Sequence, residues 1–434
     1  MPPSTSAFAL AAGLGTAAWW LYQRRLSHSH RVASCATSCA TSCVTSFATA
    51  CARAPSLAEF LSFRTYVFDC DGVIWGIEPS ETVRSVSTIN HLLRLGKRVM
   101  FVTNNSNKSR LAFVQQLESK GVVFGDAVSE ADKLNMMVSA SFTTARYLKE
   151  NGLKRPFVIT SSTGILDELR LAGITNYYAT VLDDGAPHPD FHGASSGRDE
   201  LVALALARPG VDCVVVGWDL SLTARKAALA INMIQWHCDL HAGDGGGGSG
   251  GYVPIPLLAC AGDTGGVVGT TTAGAVGMGG GVGTDGVGGG KCGKCGEGGE
   301  GGDGGNGGRA APREGSTRLP VRVIGNGAMA DVIARSFDPP LPWKNLGKPS
   351  DNLIDLLRSP AGYGVDSASA LMVGDTLQTD IAFGNRAGMK TLLVLSGVTT
   401  EKAMKEALVG GDTLRHPTFV LPSLGAFDKS GELG

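Results

Sequence analysis

A chain of 434 residues with 43% apolar content has material for two or three domains, each with a real core. Its formal net charge of −1 argues against nucleic acid or an anionic membrane surface as a partner. The 61 glycines exceed ordinary usage and are unevenly spread, with about half of them between residues 242 and 309.

The first 58 residues contain no Asp or Glu, are rich in Ala, Ser and Thr, and carry Arg24, Arg25, Arg31 and Arg53. That is the composition of an organelle transit peptide, which points to a chloroplast or a mitochondrion. The repeat Ser34-Cys35-Ala36-Thr37-Ser38-Cys39-Ala40-Thr41 has no core-forming pattern. A membrane anchor is the rival reading, because the apolar run Phe8 to Gln23 ends at Arg24-Arg25. The run falls short of the roughly 18 residues expected of a spanning helix, and two glycines interrupt it.

After the leader, residues 65–69 predict a buried strand. Glu81 to Lys97 follows as a helix, with Val83, Val86, Ile89, Leu92, Leu93 and Leu95 near helical spacing. Arg98–Thr103 predicts a second strand, Lys108–Lys120 a second helix and Asp132–Glu150 a third. A separate α/β unit comes next, with strands at Pro156–Thr160 and Val211–Val216 and helices at Ser162–Leu171 and Ser221–Gln235. Gly243 to Gly308 has almost no apolar periodicity and cannot offset the entropy of ordering so many glycines, so a disordered insertion is expected there. Tyr252–Cys260 is its apolar island and could pair with the sheet of that unit. Cys292 and Cys295 form a lone C-x-x-C, which lacks the further ligands that a zinc site needs. The C-terminal part predicts strands at Leu371–Gly374, Lys390–Leu395 and Thr418–Leu421, with a helix at Asp380–Ala387. Alternating strands and helices make a parallel sheet, so the fold class is α/β: a Rossmann-like, doubly wound core.

Chemistry concentrates where strands end. Tyr66-Val67-Phe68 runs into Asp69-Cys70-Asp71-Gly72, and Leu371-Met372-Val373 runs into Gly374-Asp375, with Asp380 five residues on. Open α/β sheets bind ligands at the carboxyl ends of their strands. Acids held this close require a cation or a retained proton. A hard ion such as Mg²⁺, held by carboxylates, phosphate oxygens and water, is the obvious occupant. Cys70, between two acids, reads as a small buried filler.

Asp69-x-Asp71-Gly72-Val73, Val102-Thr103-Asn104-Asn105-Ser106, Gly347-Lys348-Pro349 and Gly374-Asp375-x-x-x-Thr379-Asp380 follow in order. Together they resemble the four motifs of haloacid-dehalogenase-type phosphatases. The tracts Thr103–Arg110, Ala145–Lys149, Gly164–Leu169, Val214–Asp219 and Thr391–Val398 look most like the phosphoglycolate and 4-nitrophenyl phosphatase branch. The likeness covers roughly residues 60–240 and 320–425. It implies a core built from residues 59–150 and 345–434, with a large α/β cap inserted at 151–344 that carries the 243–308 insertion. It also implies roles. Asp69 is the expected nucleophile and Asp71 the general acid/base. Lys348 stabilises charge, while Thr103, Asn104, Gly72 and the cap residue Asp219 contact the substrate. Mg²⁺ is held by Asp69, Asp71 (through its backbone carbonyl) and Asp375, with Asp380 orienting the ligands or Lys348 from behind. The expected partner is a small phosphorylated substrate, and the expected assembly a homodimer through the cap.

One departure concerns the tract Ala-Thr-Asn-x-Asp, which relatives carry after the cap helix before a Pro-Gly-x-Gly turn. Trp236-His237-Cys238-Asp239-Leu240-His241 stands after that helix instead, and the turn has two candidates, Gly262-Asp263-Thr264-Gly265 and Gly325-Asn326-Gly327-Ala328. Each motif alone has a bland reading, such as a helix cap for Thr103-Asn104-Asn105. Four in order, each at a predicted strand end or loop, argue against a purely structural account. The function expected is a Mg²⁺-dependent hydrolysis of 2-phosphoglycolate in a plastid, through an aspartyl-phosphate. Alternatives are a pyridoxal-phosphate or broad 4-nitrophenyl phosphatase and, from another class, a non-catalytic interaction protein using the glycine tract. Against nucleic acid, RGG-type segments need repeated Arg and aromatics, and Arg309 stands nearly alone.

Overall fold

Tyr66, Val67 and Phe68 of the first strand, Thr65–Phe68 (β1), have no exposed surface, as expected when helices cover both faces of a sheet. Tyr66 and Phe68 join one apolar cluster and Val67 another, which is the two-sided alternation of a strand. The structure, a computed structural model, describes residues 53–191, 197–241, 254–272 and 318–428. Residues 1–52 of the proposed leader 1–58, the proposed anchor, and Cys292 and Cys295 lie outside the described residues, while Arg53 of that leader bridges to Phe419. Among the described residues, no helix is long and apolar enough to cross a membrane.

From β1 the chain continues through Arg98–Thr103 (β2) and Met137–Ser139 (β3) and then leaves for a second sheet. That sheet takes Pro156–Ile159 (β4), Tyr178–Ala179 (β5), Cys213–Val216 (β6) and Leu257–Ala259 (β7). An antiparallel hairpin of Gly265–Thr272 (β8) and Arg318–Ile324 (β9) follows, and Trp343–Asn345 (β10) rejoins the second sheet. Ala370–Gly374 (β11), Lys390–Val394 (β12) and Phe419–Leu421 (β13) complete the first. The first sheet is parallel in the order β13-β12-β11-β1-β2-β3, and the second is parallel in the order β10-β7-β6-β4-β5. The order of the first sheet reverses between β1 and β11, which places a ligand crevice at their carboxyl ends.

Two expectations change. The single helix anticipated over Asp132–Glu150 is two helices, Glu130–Met136 and Ala140–Glu150, with β3 between them. Ser139 ends the strand and caps the second helix, its hydroxyl accepting from the Phe142 amide at 3.3 Å. The insertion is also shorter than 243–308, because residues 257–259 form β7, inside the second sheet, and 265–272 form β8. The apolar island Tyr252–Cys260 supplies β7 and pairs with this sheet as anticipated, while glycine content masked β8.

The missing tract now has a place. Ala259-Cys260-Ala261-Gly262-Asp263 ends β7 and keeps the Ala and Asp of the anticipated Ala-Thr-Asn-x-Asp. The two candidate glycine turns interlock. The Gly325 amide donates to the Thr264 carbonyl at 3.2 Å and the Gly327 amide to the Asp263 carbonyl at 2.9 Å. A Cβ on Gly325 would lie 2.2 Å from the Asp263 carbonyl oxygen, so only glycine fits this crossing.

Thr272 and Arg318 pair across the hairpin, so the segment between them can be shortened without losing a ladder bond. Replacing residues 273–317 by a four-residue turn is roughly a three-fold halving of loop length, at ~0.6 kcal/mol each. The expected result is unchanged turnover and a melting temperature that is equal or a few degrees higher. Thermal melts and phosphatase assays on the shortened chain check this, and a collapse of folding contradicts it.

Candidate active site

Asp69 lies directly beyond β1, and Asp375 beyond the adjacent β11. The Asp69 amide donates to the Val373 carbonyl at 2.8 Å, locking the two strand ends together. Asp69, Asp375 and Asp380 are buried, with carboxylate oxygens within 4.8 Å of one another. Lys348, 1% exposed, reaches into this cluster. Its Nζ donates to Asp69 Oδ1 at 2.7 Å and to the Val102 carbonyl at 2.8 Å. It also lies 2.7 Å from Asp380 Oδ1. That oxygen makes no aligned hydrogen bond, so the contact is one of charge. Asp380 sits in a π-turn, Leu377–Ile381, which aims its Oδ2 at the amides of Asp375 and Thr376, at 3.1 and 3.0 Å. Both its oxygens are thus committed within the protein.

The charges do not balance. Three carboxylates share one ammonium in a space from which water is largely excluded. Burial pushes the Asp375 carboxyl up to about 7, with the Asp380 charge adding to it, although the Val398 amide at 2.6 Å and the Thr376 hydroxyl at 3.0 Å favour its ionised form. Burial also holds Asp69 well above the carboxylate range, against the pull of Lys348. For Lys348, burial favours the neutral amine, but Asp380 and Asp69 outweigh it and keep the ammonium charged. A surplus of buried carboxylate around oxygen ligands suits a hard divalent cation.

Asp71 is exposed at the mouth. The Trp75 indole donates to its Oδ1 at 3.0 Å, and the buried Thr103 hydroxyl lies 3.5 Å from its Oδ2. Gly72 has φ of +81°, and a Cβ there would sit 2.3 Å from Asp375 Oδ2. The close approach that demands glycine within the protein is to Asp375.

Two substrate contacts expected from the sequence are placed otherwise. Asp219 is fully buried in the second domain, where it accepts from Lys226 Nζ at 2.7 Å and from the Ser221 amide at 2.9 Å. An isolated carboxylate could not be buried there, and Lys226 is the reason it can be. The Asn104 side chain is also occupied internally. Its Oδ1 accepts from the Lys348 amide at 2.7 Å, and its Nδ2 donates to Asp263 Oδ2 at 2.9 Å and to the Lys348 carbonyl at 3.2 Å. Sequence reasoning missed Trp75 and Asp263. The signal for Asp263 was a Gly-Asp pair directly after an apolar island, the same pattern as Gly374-Asp375.

The second domain meets the core at the loop after β2. The Trp218 amide donates to Ser106 Oγ at 3.3 Å, and Ser162 Oγ to Asn107 Oδ1 at 3.3 Å. Glu168, 1% exposed, accepts from the Arg110 amide at 2.6 Å and from its guanidinium at 3.1 Å. The second domain, the unit expected as a cap, therefore rests on the loop that carries Thr103 and Asn104.

Residues 66–175 match the family described as haloacid dehalogenase-like hydrolase, and residues 345–427 match the related HAD-hydrolase-like family. The chain is 30% identical to phosphoglycolate phosphatase 2 of Arabidopsis thaliana over 347 residues, 79% of this chain and 86% of that protein. It is 29% identical to the chloroplastic phosphoglycolate phosphatase 1A of the same plant, over 78% of this chain and 70% of that protein. It is 27% identical to glycerol-3-phosphate phosphatase of Mus musculus, over 79% and 81%. The crystal structure of a 4-nitrophenylphosphatase from Thermotoga maritima superposes with a TM-score of 0.50 at 19% identity, covering 85% of this chain and 98% of that one, and shares the fold. With its parallel core and paired strand-end acids, the chain belongs to the haloacid dehalogenase-like hydrolases and is a phosphoric monoester hydrolase.

Proposed function

We propose that this enzyme hydrolyses 2-phosphoglycolate to glycolate and phosphate, through an aspartyl-phosphate on Asp69 and with Mg²⁺ as cofactor. The observation that carries the chemistry is the Lys348 ammonium, 2.7 Å from Asp69 Oδ1 in a buried cluster of acids. With Oδ1 committed to Lys348, Oδ2 of Asp69 is the oxygen that attacks phosphorus. The P–O bond to the leaving alcohol breaks as the bond to Asp69 forms. Asp71, at the exposed mouth, gives its proton to the leaving oxygen. It then takes a proton from the water that opens the acyl phosphate, releasing phosphate and restoring the Asp69 carboxylate. Lys348 offsets charge on the transferring phosphoryl group, and the Thr103 hydroxyl is positioned to hold one of its oxygens. Asp69, Asp375 and the Asp71 carbonyl would hold Mg²⁺, with Asp380 orienting the set. When bound, the ion neutralises phosphoryl oxygens and the surplus of carboxylate charge.

The glycolate ester is supported by the two plant relatives, whose names both give phosphoglycolate, and by the acid-poor leader, which suits a plastid. The mouse relative supports glycerol 3-phosphate as the second reading. Both substrates are small and suit a cap seated on the core loop better than an aromatic ester does.

Asp69→Asn removes one nucleophilic oxygen and almost no volume. It is expected to lower kcat by several orders of magnitude with the fold intact. Asp71→Asn is also expected to cripple turnover, and more than a few per cent residual activity in Asp69→Asn contradicts the assignment.

The metal reading makes a pH prediction. Asp375 is raised in the folded chain from an ordinary 3.8 to about 7. Without the ion, its penalty on folding is absent below about pH 4, grows as pH rises, and is complete above pH 7. Metal binding requires the ionised carboxylate. The rise in melting temperature on adding Mg²⁺ is therefore expected to be larger at pH 8 than at pH 5.5. Melts with Mg²⁺ or with chelator at both pH values measure it, and equal shifts would remove Asp375 from the ligand set.

For the substrate, catalytic efficiency on 2-phosphoglycolate is expected to exceed that on glycerol 3-phosphate, pyridoxal phosphate and 4-nitrophenyl phosphate by about tenfold, roughly 1.4 kcal/mol. A lead for any of the other three would reassign the substrate and leave the phosphatase chemistry standing.

A further inference from the structure

Asp263 is a largely buried carboxylate that none of the hydrolytic steps uses, and burial holds its carboxyl above the ordinary range. It belongs to the cap, at the end of β7, yet its Oδ2 accepts a 2.9 Å hydrogen bond from Asn104 Nδ2, in the core loop after β2. The other face of the same amide grips Lys348, with Oδ1 accepting from the Lys348 amide at 2.7 Å and Nδ2 donating to its carbonyl at 3.2 Å. Gly347 leaves no slack, because a Cβ there would stand 2.6 Å from Asn104 Oδ1. Three separate stretches of chain thus meet at one amide group, and the side chain of the lysine it grips ends 2.7 Å from Asp69.

A primary amide has two orientations, and they are not equivalent here. Only one presents the NH₂ group to a carboxylate and the oxygen to the Lys348 N–H. The reverse would set oxygen against carboxylate and NH₂ against N–H. Asp263 is itself held in place, since the Gly327 amide donates to its carbonyl at 2.9 Å and the Gly325 turn packs on it without room for a side chain.

We propose that Asp263 is a positioning residue: through the Asn104 amide it sets the backbone of Lys348, so that the lysine is in register with Asp69 when the cap strand end is seated. The inference rests on the reading of Asp69 as nucleophile and Lys348 as its charge partner. A cap residue then contributes to the rate without touching the substrate, and the contact works as a catch between the cap and the core.

The test uses the full chain with Mg²⁺ and 4-nitrophenyl phosphate, measuring kcat, KM and melting temperature together. Asp263→Ala is expected to lower kcat by about tenfold or more, because small misplacements of reacting groups are costly, while KM moves by less than about threefold. Asp263→Asn keeps an acceptor oxygen for Asn104 and is expected to stay within about threefold of wild type in kcat. The double variant Asp263→Ala with Asn104→Ala is expected to be no slower than Asn104→Ala alone, since the two residues act in series. If Asp263→Ala fails to fold, Asp263→Ser takes its place, being polar but too short to reach Asn104. Wild-type kcat in either folded variant, or losses that multiply in the double variant, would overturn the proposal. An active Asp69→Asn would instead overturn the underlying chemistry, so the two failures are distinguishable.

Discussion

One ammonium set among three buried carboxylates is the constraint on which this site depends. Lys348 reaches both Asp69 and Asp380 at 2.7 Å, and its charge offsets part of the cost of burying these acids. The same imbalance leaves the crevice one cation short. A dephosphorylating enzyme has a use for that shortage. A cluster neutral by itself would gain nothing from a metal ion, whereas a surplus of carboxylate suits a hard divalent cation. The fold supplies the geometry cheaply, because β1 and β11 are neighbours and each ends in an acid.

The cap is tied to this cluster through the loop after β2. That loop carries Thr103 toward the mouth, Asn104 toward Lys348 and Asp263, and Ser106 and Asn107 toward the cap backbone and Ser162. The Arg110–Glu168 pair closes the same seam at the start of the next helix. A single short segment therefore meets the phosphate site on one side and the cap on the other. The hairpin of β8 and β9 grows from the cap side of this seam, and its base, where Gly325 and Gly327 cross Gly262 and Asp263, is packed too tightly for any side chain.

How much was legible in the sequence depended on distance along the chain. Asp69 and Asp71 were readable because an apolar run ending in acids announces a strand end, and the same held for Asp375. Asp380 was visible as a further acid five residues on, and its supporting role came from the resemblance. Asp219 was misjudged because its partner, Lys226, lies a helical turn and more away, and nothing local says that the two are buried together. Asn104 was correctly singled out, but its three contacts reach residues 244 and 159 positions away. Strand β7 falls within the apolar island Tyr252–Cys260 that the sequence marked as a candidate for the second sheet, whereas the glycines of Gly265–Thr272 hid β8.

By itself the sequence determined the α/β class, the doubly wound core in two pieces, the phosphatase motifs and their order. The class and the core follow from apolar runs, helical spacing and turn residues, all of which act over a few neighbouring positions, and the motifs were legible through their resemblance to a known family. Only the tertiary structure decided how the charges pair: that Lys348 bridges Asp69 and Asp380, that Gly72 makes way for Asp375, and that Asp263 reaches across from the cap to Asn104. Most of these contacts join distant segments, 279 positions apart for Lys348 and Asp69 and 159 for Asp263 and Asn104, and their worth depends on burial, which no local pattern encodes.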